Sequence, residues 1–303
     1  MDKTGALFAF ILLPSNNPGI YAAVKRVADL KLGIHTVCAE GGFFANLALK
    51  INMKLGGTNN GLESIISGVG EMLKSEDTML VGCDVTHPSP GCMEGAPSVA
   101  SVIASMDKHF GQYITRMGMQ HGKKEMIENL QKYMKSLLDL YYNRNKKYPK
   151  QIIVYRDGVS EGQYPIVLEE ELPQIKAAIK ECGIHIGIQA CKLAIVIVGK
   201  RHHTCMYPTH TYQLDGYLDL KTREKKTTGN FKPGLIVDKR ITSTYGFDFY
   251  VQAHKGIQGT ARPTHYIVIY NQLSLTVDNI QGFTHALCYQ FGRSTRSVSI
   301  IFV

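Results

Sequence analysis

The stretch IIVYRDGVSEGQ, residues 152–163, decides how this chain is read. Its glycine-flanked centre, Gly158-Val159-Ser160-Glu161-Gly162, fits the G-x-S-x-G elbow that lifts a serine nucleophile above a sheet. One residue earlier, Asp157 stands at the mouth of an apolar, β-branched run, where a strand presents a carboxylate to a metal. An elbow needs its strand to run almost into the first glycine, and here Arg156 and Asp157 intervene and crowd the turn. Asp and His residues do follow Ser160, so chain order leaves a triad open. An HGGG-type oxyanion loop is absent, and Gly41-Gly42 is a weak substitute.

The metal reading gathers a second acid. TMLVGCDV, residues 78–85, is another apolar run, and Asp84 stands near its end. Taken singly, each aspartate is equally well read as the cap of a turn or helix. If the two strands are neighbours, their carboxylates converge at one sheet edge. Hard oxygen donors favour Mg²⁺ or Mn²⁺, and two such ions roughly 4 Å apart hold the attacking water and the leaving oxygen of a phosphodiester.

The chain has 303 residues, 44% of them hydrophobic, enough for one large domain or two smaller ones. No apolar run approaches the roughly 18 residues of a membrane span. ALFAFILLP, residues 6–14, is too short, carries only Lys3 ahead of it and lacks a cleavage site, so it reads as a buried strand. The formal charge of +9 favours a polyanionic partner. Seven cysteines without a CxxC pair suit reduced thiols and an intracellular setting, the cytoplasm with the nucleus as a second site. His202, His203, Cys205 and His210 hint at zinc, but their spacing matches no familiar ligand set and a scattered polar loop is the better reading.

Strand, helix, strand, helix open the chain. LFAFILLP is followed by YAAVKRVADLKLG, with helical spacing ending at Gly33, then IHTVCA, then FFANLALKINMKLGG, which stops at Gly56-Gly57. A loop from Thr58 to about Asp77 has room for a short helix. After TMLVGCDV come the hairpin-like strands PSVASVIASMD and QYITRMGM. Met126, Leu130, Met134 and Leu137 predict one amphipathic helix over 122–144. QIIVYRD is the next strand, with a helix of roughly 15 residues ending near Gly183. KLAIVIVGKRHH, DFYVQAH and THYIVIYN are the later strands, DLKTREKKTTGN (219–230) reads as a mobile loop, and a last helix lies near 276–292. The pattern is α/β with a mixed sheet.

Five motifs in order then resemble one family: GCDVTHPSPG (82–91), YRDGVSEGQ (155–163), KRHHT (200–204), GIQGTARPTHY (256–266) and RSTRSVSI (293–300). Together they resemble the PIWI region of eukaryotic Argonaute proteins, over about Tyr21 to Ile300. The resemblance implies an RNase H-like fold, a small guide RNA, a complementary RNA target, silencing-complex proteins as further partners, and no membrane. It implies residues 1–57 as a partial, Rossmann-like MID segment, 58–77 as a connecting loop and 78–303 as the PIWI domain. It implies Asp84 and Asp157 as catalytic metal ligands for Mg²⁺ or Mn²⁺. Glu125, otherwise an ordinary helix-surface residue, matches the family's inserted glutamate, which completes the site when guide and target are bound. Ser160 becomes a turn residue.

For the guide 5′ end, the resemblance implies that Tyr21 stacks on the first base while Lys25, Lys50 and Lys54 hold the phosphate. Lys50 and Lys54 are four apart and share a helix face, and would otherwise read as a solvated basic stripe. Lys200, Arg201, His203, Arg262, Arg293 and Ser299 match guide-backbone positions. Such contacts position a strand without reading it.

The sequence also departs from the family. It ends SVSIIFV, where the family continues into a segment bearing a fourth metal ligand, His or Asp, and an arginine that reaches the guide phosphate. The stretch from Gly33 to Leu49 is shorter than the family's, Val37 stands where a pocket glutamine is expected, and the N-terminal, PAZ and most MID regions are absent. His254 and His265 do not occupy the fourth-ligand position. Enzyme status is therefore open: cleavage is expected to be weak or nil, leaving a non-catalytic RNA- or protein-binding module as the alternative.

Overall fold

The computed structural model describes residues 8–40, 44–62, 77–183, 191–218, 224–256 and 259–300. At the start, β1 (Phe8–Leu12) and β2 (His35–Ala39) pair in parallel as a two-stranded sheet. Helix α1 (Pro18–Arg26) connects them and widens into a π-type turn over Val27–Leu32. Asn17 caps α1 by accepting from Gly19 N and Ile20 N, and the segment closes at Gly33 with φ of 66°. Helix α2 (Phe44–Lys54) follows.

The main body is an eight-stranded mixed sheet. Its strands are β3 (Thr78–Thr86), β4 (Ser98–Ser105), β5 (Tyr113–Gln120), β6 (Gln151–Asp157), β7 (Lys192–Gly199), β10 (Leu235–Val237), β11 (Asp248–Gln252) and β12 (Thr264–Asn271). The order is β10-β11-β12-β7-β6-β3-β4-β5, with β3, β6 and β7 parallel and the remaining pairs antiparallel. Helices α3 (Leu130–Asn145), α4 (Leu172–Glu181) and α5 (Val277–Leu287) accompany it.

Strand periodicity divides the core into two faces. Met79, Val81, Ile152, Val154, Leu193 and Ile195 pack with α3 and α4, whereas Leu80, Ile153, Tyr155, Ala194, Val196 and Val198 pack with α5. The sheet is thus the middle layer, which explains its near-continuous apolar parallel strands. The same parity sends Asp84, Asp157 and Lys200 toward the α5 side and Arg156 toward the α4 side.

Three sequence expectations change. The helix expected over 122–144 runs over Leu130–Asn145. Ahead of it the chain takes a left-handed turn at Lys123 (φ 66°), and the carbonyl of Glu125 is bonded to Arg156 instead of a helical N–H. Met126 and Ile127 are buried from that loop, which is why their apolar spacing mimicked a helix. DLKTREKKTTGN is not wholly a loop: β9 (Lys225–Phe231) pairs antiparallel with β8 (Leu214–Leu218), while 219–223 lies outside the described residues. The last helix is shorter than expected, starting after the Thr276 cap. The short helix allowed within 58–77 lies largely outside the described residues, as does Gly41-Gly42. Among the described residues, no helix is long and apolar enough to cross a membrane.

Candidate functional site

Strand register makes the site. Cys83 on β3 lies opposite Arg156 on β6, so the next residues of these parallel neighbours, Asp84 (still paired with Ser101 of β4) and Asp157, stand side by side on one face of the sheet. Asp157 in turn faces Val198 of β7, two residues before Lys200. The chain then turns at Gly158, with φ of +87°. A Cβ at this glycine would lie 2.9 Å from Glu125 Oε1 and 3.4 Å from Asp84 Oδ1. Three carboxylates therefore converge on the backbone that follows β6, and only glycine leaves them room.

Burial pushes the Asp157 carboxyl above the usual carboxylate range, and the charge of Asp84 adds to the push. Lys200, the Gly158 N–H (2.8 Å from Asp157 Oδ1) and Arg156 oppose it. Burial lowers Lys200, while Asp157 and Asp84 hold it up. The half-buried ammonium and the two aspartates thus share one electrostatic environment.

Glu125 lies at this site beside the two aspartates. Its Oε1 accepts from Arg156 Nη1 at 3.1 Å, and its Oε2 is 2.8 Å from His87 Nε2. His87 is set in turn by Ser98 Oγ, 2.8 Å from its Nδ1. Arg156 is 1% exposed and held between Glu125 and the buried Glu171. Neither His87 nor Arg156 was singled out from sequence. An arginine inside a buried apolar strand was the available signal, since such a charge requires a partner.

As a metal site, the aspartates fit a hard divalent cation: two adjacent oxygen donors, one bearing a raised proton affinity that a cation's charge would reverse. Glu125 fits less well, because both its oxygens are engaged. Among the described residues no three His, Cys, Asp or Glu side chains form a metal-holding group.

Ser160 sits as a turn residue. Its exposed hydroxyl donates to Gln163 Oε1 at 2.8 Å and caps the turn that starts the helical stretch 161–181. In the histidine-rich loop, His202 serves as a structural peg. Its Nε2 donates to Pro263 O at 2.8 Å while its Nδ1 accepts from Thr204 N at 3.2 Å, and burial lowers its pKa. His265 is spoken for by Asp248, 2.6 Å away, and stacks on Tyr250. His254 lies close enough to Lys200 for that charge to add to the lowering that burial imposes on its pKa.

At the other end, Lys25 Nζ donates to Thr36 O and Thr36 Oγ1, each at 2.7 Å, and lies 5.8 Å from the centroid of the half-exposed Tyr21 ring. Burial lowers Lys54, the last residue of α2, and Lys25 and Arg293 lower it further, against Asp29 and Cys38. The charges of Lys25 and Arg293 thus both act on Lys54. Lys50 is exposed one turn before Lys54. Arg201, His203 and Arg262 are exposed, and Ser299 is half-buried with its carbonyl accepting from Thr264 Oγ1 at 3.0 Å. Asn59 ties the first segment to the main body, donating to Leu49 O and Gly292 O at 2.8 and 2.6 Å.

Comparison with known proteins agrees with this architecture. The Piwi domain family model matches residues 8–303. Protein argonaute 18 of Oryza sativa subsp. japonica is 37% identical over 309 residues, covering 99% of this chain and 27% of that protein. Protein argonaute 1C of the same organism is 36% identical over 312 residues, covering 96% of this chain and 30% of that protein. This chain therefore spans under a third of the length of these relatives. Among solved structures, the C-terminal lobe of a budding yeast Argonaute superposes with a TM-score of 0.81 at 28% identity, over 97% of this chain and 59% of that one. Kluyveromyces polysporus Argonaute with a guide RNA gives the same TM-score and identity, over 97% of this chain and 34% of that one. The fold is accordingly RNase H-like α/β. With its motifs, sheet order and acidic edge accounted for together, the chain belongs to the Argonaute family and carries its Piwi domain.

Proposed function

We propose that this chain binds a small guide RNA and, through it, a complementary RNA target in gene silencing, and that its phosphodiester site is weak or silent. The single observation that carries the reading is the convergence of Asp84, Glu125 and Asp157 on Gly158, beside Lys200. The similarity to K. polysporus Argonaute, solved with a guide RNA, supports the choice of ligand. Proteins of a silencing complex are the further partners. We place the chain in the cytoplasm, with the nucleus as a second site; its seven free cysteines suit a reducing compartment.

Each group has a part. Asp84 and Asp157 would hold a Mg²⁺ or Mn²⁺ ion, which when bound would supply Lewis-acid charge to the phosphodiester. Lys200, partly desolvated, offers a localised positive charge to the backbone passing that edge. Glu125 orients a water through lone pairs its ion-pair partners leave free. Arg156 and His87 hold that carboxylate in hydrogen bonds and weaken it as a third ligand, which supports slow chemistry. Tyr21, Lys25, Lys50 and Lys54 take the phosphorylated guide end, and Arg201, His203, Arg262, Arg293 and Ser299 line the backbone with Lys200 without reading bases.

A guided RNA-cleavage assay with Mg²⁺ tests the reading. Turnover near background, with any residue removed by Asp84→Ala, is expected. Fast turnover lost in Asp84→Ala would show the site to be a full one, and turnover indifferent to that change would remove the aspartates from the chemistry. Engagement of both Glu125 oxygens favours a second reading, binding without cleavage. Its mark is salt-steep RNA binding with no product.

A further inference from the structure

The loop that carries Glu125 is clasped from outside. Ile127, fully buried, has its N–H accepted by Glu171 Oε1 at 2.9 Å and its carbonyl bonded by Gln174 Nε2 at 3.0 Å. Gln174 Oε1 also accepts from Gln131 N at 3.2 Å, at the start of α3. On the other flank, Gln120 Nε2 donates to Lys124 O at 2.7 Å and Met126 O at 3.0 Å.

Glu171 does two things at once. It is 2% exposed, and the carboxylate that accepts from Ile127 also takes Arg156 Nε at 3.0 Å and Nη2 at 3.1 Å. The guanidinium so fixed is the one that grips Glu125 by its carboxylate and its carbonyl. One buried acid therefore sets both the loop backbone and the hand that holds the glutamate. Glu171 ends the widened helical segment Val167–Glu171, and Gln174 lies on the next turn of the same helical stretch. Lifting Glu125 away would strand buried backbone groups at Ile127 that have no water to turn to.

We propose that Glu171 and Gln174 are positioning residues that hold Glu125 at the aspartate edge. The inference rests on the phosphodiester-site reading for its purpose, but the clasp itself is testable without cleavage. Amide hydrogen exchange is compared for the 303-residue chain, Gln174→Ala and Glu171→Gln. Losing the Gln174 bonds should make amides 124–131 exchange roughly tenfold faster, and Glu171→Gln more so, while β3 and β6 amides keep their protection. If Glu171→Gln fails to fold, Gln174→Ala, at a half-buried position, carries the test alone. Unchanged exchange over 124–131, or acceleration spread equally through the sheet, overturns the proposal. Where guided turnover is measurable, kcat should fall with KM for target unchanged; a raised KM at constant kcat also overturns it. A parent chain that never cleaves would sink the proposed chemistry and leave the exchange result standing.

Discussion

Replacing Gly158 by alanine tests the convergence of the three carboxylates more directly than removing any of them. Two costs add at this position. The backbone stands at φ +87°, where a Cβ costs about 1–2 kcal/mol. The methyl would also sit 2.9 Å from Glu125 Oε1, so that oxygen must retreat by a few tenths of an ångström. Its 3.1 Å bond from Arg156 Nη1 then stretches toward the limit of a hydrogen bond, endangering up to about 1.5–3 kcal/mol for a charged pair. The expected loss is about 2–4 kcal/mol. Two other glycines separate the costs. Gly91, at φ +88° with nothing within 4 Å, should show the backbone cost alone. Gly162, also with open space and without a positive φ, should change stability by less than about 0.5 kcal/mol. Urea unfolding with linear extrapolation measures all three. If Gly158→Ala loses no more than Gly91→Ala, the carboxylates do not crowd this turn and the site geometry argued above is wrong.

Two further outcomes follow from the electrostatics. Lys50→Ala and Lys54→Ala should each weaken binding of 5′-phosphorylated RNA several-fold more than of 5′-hydroxyl RNA, by fluorescence titration; equal losses would reduce them to generic basic residues. Burial opposes ionisation of Asp77, but hydrogen bonds and charge from Lys147 and Lys150 outweigh it, so its pKa sits below the ordinary value. A depressed carboxyl stabilises the fold above its unfolded pKa of about 3.9, and that gain is lost as pH falls through the folded value. The gap in stability between the parent and Asp77→Asn should therefore be full near pH 6 and shrink as pH drops below about 4; a gap that is constant across this window would contradict the assignment.

Sequence and structure divide the work along a physical line. Periodicity reports how a residue lies on its own element, and so the apolar runs of β3, β6 and β7 and the acids at their ends were legible. Once β3 and β6 are neighbours, strand parity alone places Lys200 on the aspartates' side and Arg156 on the other. Periodicity failed at 122–129, because Met126 and Ile127 are buried from an irregular loop whose backbone bonds are made by side chains distant in sequence. The match of Glu125 to a family motif located the residue but not its attachment to His87 and Arg156.

What the sequence by itself determined is therefore local: the alternation of strands and helices, the acids near the ends of the apolar runs at 78–85 and 151–157, and the basic spacing of Lys50 and Lys54. Only the tertiary structure decided that Asp84 stands beside Asp157 and that Glu171 and Glu125 share one buried arginine. Pairing between distant segments is set by how whole strands and helices bury their faces against one another, a quantity that no short stretch of chain contains.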